Sequence, residues 1–137
     1  MFAEVRVAVL ASGAGTILEA ILGESIEVSL VITDRPCKAM ALAQSYGISS
    51  KEITRAEFGK KFDRPVFTQQ VVQALKDENI DVIAMAGFGT VLGESFFQAF
   101  EARVLNTHPS LLPSFPGWHS VRDALQHGVK VTGCTVH

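Results

Sequence analysis

The chain has 137 residues, with 12 Lys and Arg against 14 Asp and Glu and a formal net charge of −2. That length fits one domain with a real core, and basic residues scattered rather than clustered give no footprint for nucleic acid. The longest apolar runs are strand-sized, short of the roughly 20 residues that a membrane helix needs. Cys37 and Cys134 lie far apart and match no metal-ligand spacing. No signal-peptide pattern opens the chain. The expectation is a soluble, cytoplasmic protein with free thiols, no metal and no membrane partner.

In chain order, residues 5–11 form an apolar run broken only by Arg6, as for a strand covered on both faces. Gly13-Ala14-Gly15 follows, and Thr16 is placed to cap a helix running to Gly23. Residues 28–33 read as a second buried strand. Asp34 and Pro36 supply a cap and an early-turn proline for a helix that Gly47 stops. The charge-rich stretch 51–64 reads as a solvated face. Pro65 starts a helix with Val66, Phe67, Val71, Val72 and Leu75 on one face. Residues 81–86 are a third apolar strand, and 93–102 a helix with Phe96, Phe97 and Phe100 turned inward. A short strand over 104–108 leads into a proline-punctuated loop over 111–118. Ser120 and Asp123 have capping-box spacing and open a helix ending near Gly128. Residues 129–137 begin a last strand. Trp118 and the three phenylalanines are assigned to the core.

Strands alternating with helices imply an α/β fold, an open, mostly parallel sheet with helices on both faces. The reading is a single domain over 1–137. Because the sequence stops inside its last expected strand, the C-terminal part of that domain is expected to be missing.

A glycine pair after a buried strand and before a helix lets the backbone approach an anion closely, with free N–H groups and the positive helix end beside it. Three readings fit: a tight turn without ligand, a dinucleotide site with Asp34 on the ribose, and a single-phosphate site. The dinucleotide fingerprint wants a third glycine where Leu18 stands. The phosphate reading uses the backbone N–H groups of Gly15, Thr16 and Ile17, with the Thr16 hydroxyl assisting.

Asn106 and His108 sit two apart on an expected strand, so their side chains share a face. Pro109 keeps His108 extended. At the carboxyl end of a strand, where open α/β sheets place ligands, an amide N–H and an imidazole N–H aimed at one point can stabilise a developing oxyanion. Histidine can also move a proton near neutral pH. An ordinary turn with a surface histidine fits the same spacing, so the pair alone names no reaction.

The longer string does. Asn106-Thr-His-Pro-Ser-Leu-Leu-Pro113-Ser-Phe-Pro-Gly117, followed by His119, resembles the signature of folate-dependent formyltransferases. The His-Pro-Ser and Phe-Pro-Gly-x-His variant is that of the members acting on glycinamide ribonucleotide in purine biosynthesis. Residues 9–16, 81–88 and 131–137 resemble that group's phosphate loop, the strand leading to its folate site, and its next strand. The resemblance implies a Rossmann-like formyltransferase fold and formyl transfer from 10-formyltetrahydrofolate to the amine of glycinamide ribonucleotide. It further implies that Gly15, Thr16 and Ile17 hold the substrate phosphate and that Gly87 offers its carbonyl to the amine. Arg64, Gly89, Thr90, Val91, Leu92 and Asn106 would contact the folate. Asn106 and His108 would act on the formyl group, and the peptide bond between Leu112 and Pro113 would be cis.

Three departures stand out. Ala14 replaces an asparagine of the family's glycine loop, and Phe88-Gly-Thr-Val-Leu92 replaces a common Phe-Met-Arg-Ile-Leu. The family's catalytic aspartate falls past position 137. The alternatives are the tRNA-directed formyltransferase, the formyltetrahydrofolate hydrolase, and a binding domain without turnover. Phe115-Pro116-Gly117 counts against the tRNA enzyme, which typically has an arginine-glycine pair there. A homodimer is left open.

Overall fold

The structure, a computed structural model, describes residues 4–137. It divides into two compact units, the first ending at Val104 and the second spanning 105–137.

The first unit is built on four parallel strands, β1 (Val7–Ala11), β2 (Val28–Thr33), β3 (Ser49–Glu52) and β4 (Val82–Met85), in the order β3-β2-β1-β4. Three helices connect them, α1 (Thr16–Gly23), α2 (Lys38–Ser45) and α3 (Arg64–Asp77), and α4 (Glu94–Ala99) follows β4. The chain steps outward from β1 to β3 and then returns to β4 on the other side of β1. That reversal makes the crevice at the carboxyl ends of β1 and β4 the place where an open α/β sheet receives ligands.

Strand alternation splits the core between the two sheet faces. Ala8, Leu10, Leu30, Ile32 and Ile83 face α3 and α4, where Phe67, Val71, Leu75 and Phe96 meet them. Val9, Ala11 and Val31 face the other way, toward Leu18 of α1 and Ala39 and Ala43 of α2. Val28 also lies on this second face, out of phase with Leu30. The register supplies the reason: Val7 pairs with Val28 but Ala8 pairs with Leu30, so a bulge at Ser29 shifts the alternation by one residue. Helices on both faces explain why β1 and β2 read as continuous apolar runs.

Several boundaries differ from expectation. Asp34 does not cap α2: that helix starts at Lys38 after Cys37, and Asp34 is buried in a hydrogen-bond network instead. Thr16 is the first residue of α1, after a left-handed Gly15, and its side chain makes no cap. Asp63 caps α3, with Pro65 in its first turn. Val66 and Phe97 were expected inside but are 54% and 48% exposed. α4 is shorter than its phenylalanine spacing suggests, and only Phe96 and Phe100 turn in. β3 was not expected, and its Lys51 and Glu52 belong to the stretch read as a solvated face. Its sequence Ser-Ser-Lys-Glu lacks an apolar run because it is the edge strand, largely open to water.

The second unit contains most of β5 (Val104–His108), then α5 (Ser120–His127) and β6 (Thr135–Val136), which pairs antiparallel with β5. The bond between Leu112 and Pro113 is cis. The expected capping box does not form. α5 is capped from His119, whose carbonyl accepts from the Asp123 N–H at 2.9 Å. Ser120 is already the first helical residue, too late to cap with its hydroxyl, and the Asp123 carboxylate pairs with Arg122. The last strand is shorter than expected because only Asn106, Thr107 and His108 face partners at 135–137. Trp118, assigned to the core, is 70% exposed.

Among the described residues, no helix is long and apolar enough to cross a membrane.

Candidate functional site

In the first unit, two loops flank the β1–β4 crevice. The loop after β1 carries Gly13, Ala14 and Gly15. Gly15 has φ +82°, and a Cβ there would stand 3.0 Å from the Ala39 Cα. Only glycine allows both this turn and the approach of α2. The Gly13 carbonyl accepts from the Ala39 N–H at 3.1 Å, which fixes the loop from outside. A helix leaves its first N–H groups without intrahelical acceptors, so Thr16 and Ile17 at the start of α1 offer donors beside Gly15. Thr16 is exposed, while the Ile17 side chain packs on the α1–α2 core. Ile17 can therefore contribute only its backbone.

The loop after β4 carries Gly87, with φ +72° and nothing within 4 Å of a built Cβ. Open space over this backbone fits the approach of a ligand. The Gly87 carbonyl accepts from the Ser12 N–H at 3.1 Å, and Ser12 Oγ accepts from the Gly89 N–H at 2.6 Å. Thr90 is buried and donates to Asp34 Oδ2 at 2.6 Å. Leu92 is buried in the α3–α4 core, whereas Val91 is exposed. Thr90 and Leu92 thus turn their side chains inward and could meet a ligand only through the main chain. Arg64 lies exposed in the first turn of α3.

Asp34 is the residue that sequence reasoning misjudged. Its side chain has no exposure, and Arg35 forks onto both carboxylate oxygens at 2.9 and 3.1 Å. Its carbonyl accepts from the Arg55 N–H at 2.8 Å. Burial pushes the carboxyl up, but Arg35 and the hydroxyls of Thr90 and Ser12 outweigh it and hold the group below the usual carboxylate range. Its position after a buried strand was visible in the sequence; its partner 56 residues away was not.

In the second unit, β5 places Asn106 and His108 on one face, both half-buried. The Asn106 N–H donates to the His137 carbonyl at 2.7 Å, and the His137 N–H returns to Asn106 at 3.0 Å. Their side chains meet at 3.3 Å between Asn106 Nδ2 and His137 Nε2. Amide nitrogen only donates, so His137 Nε2 accepts. His108 Nε2 donates to the Phe115 carbonyl at 3.0 Å. That bond fixes the ring and makes Nδ1 the nitrogen that a further proton would occupy.

The loop that carries Phe115 is itself tied down. Ser110 Oγ donates to the Ser114 carbonyl at 2.6 Å, while Thr135 Oγ1 donates to the Ser110 carbonyl at 2.7 Å and accepts from the Leu112 N–H at 3.1 Å. Thr135 pairs with His108 across the ladder. The partners of Asn106 and His108 therefore come from residues whose roles depend on β-register, which spacing alone did not reveal.

Among the described residues, no group of three or more His, Cys, Asp or Glu could hold a metal.

The first unit is a parallel α/β sheet with a glycine loop at its switch point, and the second unit carries an Asn-x-His strand. Residues 5–137 match the formyl transferase family, and the chain belongs to it. It is 39% identical over 140 aligned positions to phosphoribosylglycinamide formyltransferase of Mycobacterium tuberculosis, covering 98% of this chain and 64% of that protein. The corresponding Bacillus subtilis protein is 34% identical, with 96% of this chain and 70% of that protein covered. Among solved structures, glycinamide ribonucleotide transformylase 1 from Symbiobacterium toebii superposes with a TM-score of 0.89 at 38% identity, over 97% of this chain and 65% of that one. The chain thus spans slightly less than two thirds of the mycobacterial relative's length.

Proposed function

We propose that this protein transfers a formyl group from 10-formyltetrahydrofolate to the amine of glycinamide ribonucleotide, in the cytoplasm and as a step of purine synthesis. The observation that carries this reading is the Asn106-Thr-His108 strand, in a chain that matches the formyl transferase family over residues 5–137.

Gly15, Thr16 and Ile17 hold the substrate phosphate through main-chain N–H groups at the start of α1. The Gly87 carbonyl, with a second lone pair beyond its bond to Ser12, orients the attacking amine. Arg64, Gly89, Thr90, Val91 and Leu92 hold the folate, with Thr90 and Leu92 contributing backbone only. As the amine nitrogen bonds to the formyl carbon, negative charge develops on the formyl oxygen. Asn106 Nδ2 and the protonated ring of His108 stabilise it by hydrogen bonding, an effect typically worth about 10²–10³ in rate per donor. The bond from that carbon to the folate nitrogen then breaks, and His108 helps carry the amine's proton to the departing nitrogen.

The test is direct turnover. The purified protein, mixed with glycinamide ribonucleotide and 10-formyltetrahydrofolate, is expected to give formylglycinamide ribonucleotide by mass spectrometry. Loss of the formyl group to water alone would overturn the transferase reading in favour of a hydrolase.

A further inference from the structure

We infer that Asp34, acting through Thr90, is a positioning residue for the loop over 87–92, which the reading above assigns to the reduced folate. Three strand ends of the first unit are tied together here. Ser12 follows β1, Asp34 follows β2, and Thr90 lies in the loop after β4. Thr90 Oγ1 donates to Asp34 Oδ2 at 2.6 Å, with both side chains buried. Ser12 grips the same loop twice more, donating its N–H to the Gly87 carbonyl at 3.1 Å and accepting the Gly89 N–H on its hydroxyl at 2.6 Å.

A glycine-containing loop of this kind has little side-chain packing to hold it. Phe88 and Leu92 reach the α3–α4 core, but Gly87 and Gly89 contribute no side chain, and Val91 is exposed. The polar contacts to Ser12 and Asp34 therefore set where the main chain of 87–90 lies. Arg35 neutralises the carboxylate from the solvent side while remaining 43% exposed, so Asp34 can stay charged when its side chain is sealed. A charged acceptor makes hydrogen bonds roughly twice as strong as neutral ones, which suits a buried anchor for the Thr90 hydroxyl. Asp34 touches no substrate in this scheme; it acts through the loop.

Thr90→Val removes the hydroxyl at nearly constant shape, and Thr90→Ser restores it. Two readouts are taken: the dissociation constant for tetrahydrofolate, and amide hydrogen exchange of residues 87–92 in the ligand-free protein. Thr90→Val is expected to weaken folate binding about tenfold and to speed exchange across 87–92 about tenfold, as for one lost hydrogen bond to a charged group. Glycinamide ribonucleotide binding should stay within about twofold, and Thr90→Ser should return both readouts to the parent values. Unchanged exchange across 87–92 in Thr90→Val would overturn the inference. If the parent protein binds no reduced folate, the formyl-transfer reading fails, and the exchange data still decide the role of Asp34. Should Thr90→Val not fold, Asp34→Asn is measured in the same way, with the same expected loosening of residues 87–92.

Discussion

Among the described residues, every buried apolar side chain except Ala124 lies at or before Phe100, whereas Leu111, Trp118, Val121, Leu125, Val131 and Val136 in the second unit stand largely exposed. The first unit is held by packing on both faces of a parallel sheet. The second is held mainly by hydrogen bonds: β5 to β6, Thr135 to the 110–112 turn, and Ser110 to Ser114. The difference separates two jobs. Packing fixes the strand ends that carry the glycine loop and the loop over 87–92. A polar frame orients Asn106 and His108, whose partners are a facing strand and a carbonyl.

If that contrast is right, substitutions in the two units should fail in different ways. The largest effect on stability is expected from Phe96→Ala, which empties a fully buried site between α4 and α3. A loss of about 3–5 kcal/mol in urea unfolding is expected, and a loss below about 1 kcal/mol would mean that the first unit is not packing-dominated. Asp34→Asn comes next, at about 1–3 kcal/mol near neutral pH, because it weakens the bonds to Arg35 and Thr90 inside the fold. Its pH dependence sharpens the point. The folded carboxyl lies below its ordinary value, so its contribution is present above about pH 4 and is lost as pH falls through the lower folded value. Urea midpoints measured from pH 6 downward should therefore fall less steeply in Asp34→Asn than in the parent. Smallest is Leu125→Ala on the exposed face of α5, expected within about 0.5 kcal/mol. A large loss there would show that this face is covered in solution, and the comparison between the units would need redrawing.

The sequence was most readable where burial imposes period and least readable where long-range hydrogen bonds decide. β1, β2 and β4 stand out because both faces of each strand are covered, leaving apolar runs. β3 escaped because Ser49-Ser-Lys-Glu52 is an exposed edge, with little apolar patterning to mark it. Val66, Phe97 and Trp118 went wrong for a related reason: an apolar side chain near a core is not thereby inside it. Ser120 shows the limit of local capping motifs, since a helix that starts one residue early leaves its hydroxyl out of place. The site divides in the same way. Asn106 and His108 were visible as a spaced pair, and the surrounding prolines and leucines pointed to the family. The joint of Ser12, Asp34 and Thr90, and the facing of Asn106 with His137, depend on strand order and register, which no local pattern encodes.

The central claim is that the polar face of β5 performs the chemistry. The most direct measurement is steady-state formyl transfer from 10-formyltetrahydrofolate to glycinamide ribonucleotide by the parent protein and His108→Ala, with unfolding curves run alongside. The account predicts that kcat falls about 10²–10³-fold while KM for glycinamide ribonucleotide changes little and the protein stays folded. Unimpaired kcat in a folded His108→Ala protein would contradict it.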